Sequence, residues 1–304
     1  ARRVLAEEGY GSDDTVGATV MLDAVIVDDL PGPQGPGEAV ATRMSTALGH
    51  ACTHTPERVP WPIRAAHDLT ARIEAAVREE TVPGLSPDAQ VQVGARFAAR
   101  RPVGLTGIAA SFSSPSEEAT PSLRAAVIEP FLEASDLPSE ASLRLDLRRV
   151  PGSGGPRVHA GLTGRKTADD GYGGYCRQSS SALSGKDPSR IDRVGAYAAR
   201  QAALSVVAAG MAGECEVQLS YVPGEAGPVS LEIDCFDSET VPEPEIEAAL
   251  ARALDFRVGA IVERLGLWEL PGRHHGRFYR DLARHGHVGR ADMALPWEVP
   301  VPLG

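Results

Sequence analysis

The order of the periodic segments constrains the fold of this chain most, because strand patterns occur in neighbouring pairs beside long helical patterns. Alternating apolar residues predict two adjacent strands at 91–97 and 103–105. Two more, at 217–221 and 229–235, flank a Pro/Gly turn and predict a hairpin. Strand pairs joined by hairpins and packed beside long helices favour an α+β fold over a doubly wound parallel sheet. Further strands are predicted at 16–27 and 143–147, and helices at 1–9, 63–80, 123–134, 190–212 and 243–254.

The charge balance argues against a nucleic-acid-binding protein. The chain carries 30 Lys and Arg residues against 41 Asp and Glu residues, a formal net charge of −11, whereas nucleic-acid binding needs a broad basic face. No apolar run reaches the ~20 residues that cross a bilayer, so no membrane association is expected.

The cysteines lack CxxC spacing, which predicts buried free thiols in a cytoplasmic protein. They are Cys52, Cys176, Cys215 and Cys235.

Two Pro/Gly-rich segments mark irregular connections. The sequence PGSGGP at 151–156 is the strongest boundary signal, and DDLPGPQGPG at 28–37 is too rich in Pro and Gly for regular structure. The chain starts at Ala1 without an initiator Met and within a helical pattern, so we expect residues to precede it.

The segment Gly161–Arg193 carries the strongest chemical signal, because two cationic motifs flank a run of small residues. Small residues let the backbone approach an anion closely. Asp187 followed by Pro188 predicts a helix start, and the exposed N–H groups of a helix start attract anions. The pattern predicts a phosphate or polyphosphate site, with a solvated basic loop before an ordinary helix cap as the alternative. The cations are Arg165, Lys166, Lys186, Arg190 and Arg193.

This segment is not a Walker A loop. Ser180 stands where that motif requires Gly, and Lys186 is followed by Asp187 instead of Ser or Thr.

Four motifs resemble the S-adenosylmethionine synthetase (methionine adenosyltransferase) family. They are GLTGRK at 161–166, YGG at 172–174, SGKDPS at 184–189 and GHVGR at 286–290. The resemblance implies three similar α/β units around a pseudo-threefold axis. The first would be a remnant at 1–61, the second would span 62–156, and the third, with the ATP-phosphate motifs, would span 157–304. It also implies a homodimer or homotetramer with active sites between two subunits.

The resemblance further implies that methionine sulfur attacks C5′ of ATP, and that the released triphosphate is hydrolysed to pyrophosphate and phosphate. Mg²⁺ and K⁺ would assist. Because a thioether sulfur carries a free lone pair, catalysis should depend on positioning and on cations at the leaving group. Asp192 matches a residue that supports metal binding, and a carboxylate suits Mg²⁺. By resemblance, Arg165, Lys166 and Lys186 are catalytic and bind ATP phosphate together with Ser184, Gly185 and Arg190.

Several family residues are replaced in this chain. His159 stands where the family has an Asp that helps to hold the amino acid, and Arg43 replaces another Asp. Both are candidate substrate contacts, although His159 could be a surface loop residue and Arg43 could pair with an acidic neighbour. The glycine triplet before SGKD is Ser179–Ser181, and an HPDK-type segment is absent from these residues.

These replacements leave three functions open. The first is adenosyl transfer from ATP to methionine or a related acceptor. The second is a different ATP-dependent reaction of a paralogue, since a fold does not fix a function. The third is a non-catalytic subunit that binds a nucleotide or partners an active chain.

Overall fold

The computed structural model describes residues 2–8, 10, 39–148 and 164–304. The strands are β1 (Ser45–Cys52), β2 (Ala89–Ala98), β3 (Arg101–Ser113), β4 (Ser139–Arg148), β5 (Glu214–Tyr221) and β6 (Ser230–Asp234). The α-helices are α1 (Arg2–Glu7), α2 (Trp61–Arg78), α3 (Ala119–Leu123), α4 (Glu129–Glu133), α5 (Arg165–Asp170), α6 (Ile191–Ala208), α7 (Glu243–Ala253), α8 (Val258–Arg264), α9 (Leu270–Arg273) and α10 (Phe278–Leu282). A π-helical turn, Arg124–Ile128, joins α3 to α4, and a 3₁₀ turn covers Pro296–Glu298.

The chain forms two compact units. One combines residues 1–28 with 64–163, and the other combines residues 29–63 with 164–304. The expected boundaries of three units, at 61/62 and 156/157, stay a prediction. The predicted strand at 16–27 and the connectors at 28–37 and 151–156 lie outside the described residues.

The first unit contains the sheet β2-β3-β4. Strands β2 and β3 are antiparallel, as predicted, and their two-residue connection places Ala99 and Arg100 at φ 44° and 59°, the left-handed region that tight hairpins need. Strand β4 lies parallel to β3, whereas the sequence predicted strands joined by hairpins. A parallel pair needs a crossover connection, and the helical segment from α3 to α4 provides it.

The second unit contains the antiparallel sheet β1-β5-β6. The predicted hairpin is β5 and β6, and β1 pairs with β5 from Ser45↔Tyr221 to Cys52↔Glu214. Helix α6 packs closely on this sheet, because a Cβ atom on Gly49 would overlap the backbone of Ala199. A Cβ atom on Gly195 would lie 2.8 Å from Ala47 Cβ. Glycine at these two positions therefore sets the helix-to-sheet distance.

The predicted helix 190–212 is shorter in the structure. Helix α6 ends at Ala208 because Gly210, at φ +71°, adopts the left-handed conformation that stops helices. Its first residue is Ile191, with Arg190 at the N-cap, so the predicted start at Asp187 was wrong. The Asp187 Oδ1 atom instead accepts hydrogen bonds from Ser189 N (2.9 Å) and Ser189 Oγ (2.7 Å) in a separate turn.

The mixture of helices and sheets confirms the predicted α+β class. All four cysteines are free thiols, as predicted, but Cys176 is only half-buried, whereas the other three are buried. No helix in the described part of the chain is long and apolar enough to cross a membrane.

Candidate functional site

The Asp170 carboxylate joins the two cationic motifs. This side chain ends α5 and is fully buried. Its Oδ2 atom accepts the N–H groups of Leu183 (2.8 Å) and Ser184 (2.7 Å), and its Oδ1 atom accepts the Ser184 hydroxyl (2.8 Å). Helix α5, which carries Arg165 and Lys166, is therefore fixed to the loop that leads to Lys186.

The ammonium group of Lys166 lies in a ring of oxygen atoms. Its Nζ atom is 2.8 Å from Asp170 Oδ1, 2.5 Å from Asp169 Oδ2 and 2.6 Å from the Ala283 carbonyl oxygen. Burial lowers the pKa of Lys166, but the carboxylates of Asp169 and Asp170 outweigh it, so the pKa lies above its usual value. Lys166 therefore carries a positive charge, and this charge is already paired with the carboxylates of Asp169 and Asp170.

Lys186 has a different environment. Its ammonium group donates to the Ala182 carbonyl oxygen. Burial lowers its pKa; Asp192 opposes this shift, and the cations Arg190 and Arg193 add to it. Lys186, Arg190 and Arg193 thus share one positive field, which suits an anionic ligand.

Asp192, the predicted metal ligand, is buried in the first turn of α6. Its Oδ1 atom accepts the Ser45 hydroxyl at 2.9 Å, and its Oδ2 atom lies 3.5 Å from Arg190 Nε. Among the described residues no group of three or more His, Cys, Asp or Glu side chains could hold a metal ion. Because Mg²⁺ needs only one or two protein carboxylates when phosphates supply the other oxygens, this carboxylate fits a Mg²⁺ ion held mainly by a polyphosphate.

His287 connects the site to the C-terminal part of the chain. Its Nε2 atom is 2.9 Å from Ser184 Oγ, and its Nδ1 atom is 2.7 Å from Tyr197 Oη. Burial lowers the pKa of His287 to about 3, although the nearby Asp170 carboxylate opposes this shift. The Tyr197 ring stacks on Trp297 with ring centroids 3.6 Å apart. The imidazole is therefore a neutral, structural group.

The serine triplet holds the site against the edge of β1. Ser179 Oγ accepts the Leu48 N–H group (2.9 Å) and Ser180 Oγ accepts the Thr46 N–H group (2.9 Å), while the Ser180 N–H group donates to the Thr46 carbonyl oxygen (3.0 Å). These bonds satisfy backbone groups that an edge strand would otherwise expose.

Three of the other predicted site residues lie at exposed positions. Arg165 is exposed at the first position of α5, and Gly185 is exposed at φ +78°. Arg43 is exposed just before β1. His159 and the first three residues of GLTGRK lie outside the described residues.

Sequence reasoning missed Asp170, His287 and Ser179 as organising residues of the site. A signal for Asp170 was present in the sequence, since an acidic pair follows Arg165-Lys166 within one helix turn. The contact of His287 with Ser184 could not be predicted in this way, because the two residues are 103 positions apart in the chain.

Two family models match this chain. The S-adenosylmethionine synthetase central domain matches residues 38–145, and the C-terminal domain of the same family matches residues 153–299. The S-adenosylmethionine synthase of Acaryochloris marina is 37% identical over 98% of this chain and 78% of its own length. Those of Rippkaea orientalis and Prochlorococcus marinus strain MIT 9313 are 35% and 38% identical, with the same coverage.

Proposed function

Because the chain belongs to the S-adenosylmethionine synthetase family, we propose that it transfers the adenosyl group of ATP to the sulfur of methionine or a related acceptor. The observation that carries the proposal is the junction at Asp170, which joins the motif of Arg165 and Lys166 to the loop of Ser184 and Lys186. These cations are of the kind that stabilise a departing triphosphate.

The reaction balances without a general base. The sulfur lone pair forms the new bond to C5′ of ATP while the bond from C5′ to the triphosphate oxygen breaks. The electron pair of that bond leaves with the triphosphate, and the sulfur becomes a sulfonium cation. Water then cleaves the triphosphate to pyrophosphate and phosphate. The cations Arg165, Lys166, Lys186 and Arg190 would supply positive charge where the leaving group becomes more negative. Ser184 and Gly185 would shape the loop around it.

Asp192 would supply one oxygen to Mg²⁺, which neutralises phosphate charge when it is bound. Ser45 holds this carboxylate in place through the 2.9 Å hydrogen bond. We also propose that K⁺ assists the reaction.

The acceptor end of the site is proposed to involve Arg43 and His159. An arginine can bind a carboxylate through two parallel hydrogen bonds, so Arg43 would bind the carboxylate of the acceptor. His159 would replace an acidic contact to its ammonium group, which should weaken methionine binding. We also propose a cytoplasmic homodimer or homotetramer and a division of the chain into units 1–61, 62–156 and 157–304.

Product analysis tests the function. The chain is incubated with ATP, Mg²⁺, K⁺ and methionine, and the products are separated and identified by mass spectrometry. S-adenosylmethionine is the expected product. Cleavage of ATP to phosphates without it would favour another acceptor. Absence of turnover together with thermal stabilisation by ATP would favour a nucleotide-binding partner subunit instead.

A further inference from the structure

The ammonium group of Lys166 has three N–H donors, and all three face oxygen atoms. The partners are Asp169, Asp170 and the Ala283 carbonyl oxygen, between 2.5 and 2.8 Å away. An ammonium group can donate only three hydrogen bonds. A substrate phosphate can therefore bind Lys166 directly only if it replaces one of these partners.

The three partners differ in the energetic cost of separating them from Lys166. Asp170 is fully buried and holds Leu183 and Ser184, so loss of its cation would leave a buried carboxylate less compensated. The Asp169 side chain is 39% exposed, so water can solvate it after it separates from Lys166. Asp169 is the partner that a ligand displaces at the lowest cost.

We propose that Asp169 competes with the substrate phosphates for Lys166 and thereby selects for highly charged polyphosphates. This inference rests on the proposed function, because it assigns Lys166 to the phosphate site. A single negative charge gains little by replacing the Asp169 carboxylate with another anion. A polyphosphate presents several charges and oxygens together, so the exchange favours it. Asp169 also neutralises Lys166 while the site is empty, which disfavours binding of singly charged anions.

The test is calorimetric titration of the full chain with inorganic tripolyphosphate, using Asp169→Asn and Asp169→Ala. Asn keeps an oxygen acceptor for Lys166 and removes the charge, whereas Ala removes both. The matched control is Asp68→Asn in the other compact unit, because Asp68 also pairs with a cation within its own helix, Arg72 at 2.9 Å, and is 32% exposed. We expect both Asp169 variants to bind tripolyphosphate about threefold to tenfold more tightly, with adenosine binding unchanged.

A second readout follows Lys166 itself. The 304 residues contain only two lysines, Lys166 and Lys186, so an amine-acylating reagent reports on each through one peptide in a mass spectrum. Without ligand, Lys166 should react faster in both Asp169 variants than in the unchanged chain and in Asp68→Asn. A merely structural role of Asp169 would alter both lysines or neither.

The outcomes separate this inference from the proposed function. If Lys166→Ala weakens tripolyphosphate binding while the Asp169 variants bind it as the unchanged chain does, Asp169 does not compete with phosphate for Lys166, and the proposed phosphate site stands. An equal gain in tripolyphosphate affinity in Asp68→Asn would show a general effect of net charge and would also overturn the inference about Asp169. If the unchanged chain and all variants fail to bind tripolyphosphate, the proposed function and the inference fail together.

Discussion

The Nε2 atom of His287 lies 2.9 Å from Ser184 Oγ, which ties the GHVGR motif to the loop that carries Lys186. The Ser184 hydroxyl donates to Asp170 Oδ1, so it accepts the Nε2–H group of His287. The Nδ1 atom then accepts the Tyr197 hydroxyl at 2.7 Å. One neutral imidazole thus connects α6, the loop that carries Lys186 and the C-terminal segment.

The free energy of unfolding should fall in mild acid because of His287. Its pKa in the folded chain is about 3, below the ~6.5 of an unfolded histidine, so the unfolded chain binds the extra proton between these values. The stabilisation is present above pH ~6.5 and is lost as the pH falls toward 3, by up to ~1.4 kcal/mol per pH unit. Urea unfolding at pH 7, 6 and 5 measures this slope.

His287→Gln should reduce the slope, and the exposed His274→Gln should leave it unchanged. Burial also lowers the pKa of His50, so a remaining slope of the same sign is expected in His287→Gln. An undiminished slope in that variant would contradict the assignment.

Turnover should depend strongly on both lysines. Lys166→Ala and Lys186→Ala should each lower kcat by ~10²-fold, the size of effect seen when a group that stabilises developing negative charge is removed. Steady-state assays of S-adenosylmethionine formation measure it. The control is Arg257→Ala, which removes a cation that pairs with Asp255 at 2.6 Å. Near-normal kcat in both lysine variants would disprove their catalytic role.

The two lysines should differ in reactivity toward amine reagents. Only the neutral amine reacts. Burial lowers the pKa of Lys186, whereas the Asp169 and Asp170 carboxylates outweigh burial and raise that of Lys166. Lys186 should therefore be acylated several-fold faster at pH 8. Peptide mass spectrometry over time measures both rates, and urea-unfolded chain should show equal rates. Faster labelling of Lys166 in the folded chain would refute the contrast.

Arg200→Lys should destabilise the second unit. The buried Arg200 guanidinium binds Glu298 Oε2 at 2.7 Å, and it also donates to the carbonyl oxygens of His50 (2.7 Å), Glu57 (2.8 Å) and Arg58 (2.9 Å). Lysine has only three donors, so at least one of these four acceptor groups loses its hydrogen bond to the side chain at position 200. We expect a loss of about 2–4 kcal/mol in the free energy of unfolding, measured by urea titration.

Arg257→Lys is the control for that substitution, because Arg257 is exposed. The free energy of unfolding of Arg257→Lys should stay close to that of the unchanged chain. Equal effects of the two substitutions would show that the hydrogen bonds of Arg200 add nothing to stability.

The site was only partly visible in the sequence. Small residues and clustered cations indicated a phosphate loop, and the structure fixes Lys166 and Ser184 to one carboxylate. The helix start at Asp187 was placed three residues too early, because an Asp can cap a short turn as well as a helix. No local pattern could indicate that the Ala283 carbonyl oxygen would also bind Lys166, because the two residues are 117 positions apart in the chain.

By itself, the sequence determined where the long helices α2, α6 and α7 and the β2–β3 and β5–β6 strand pairs lie, since periodicity is a property of neighbouring residues. Only the tertiary structure decided that β1 pairs with β5 and that β4 runs parallel to β3. It alone also decided that Asp170 becomes the junction of the site. Sheet partners, burial and charge pairing depend on distances in space between residues far apart in the chain, and packing of the whole unit sets those distances.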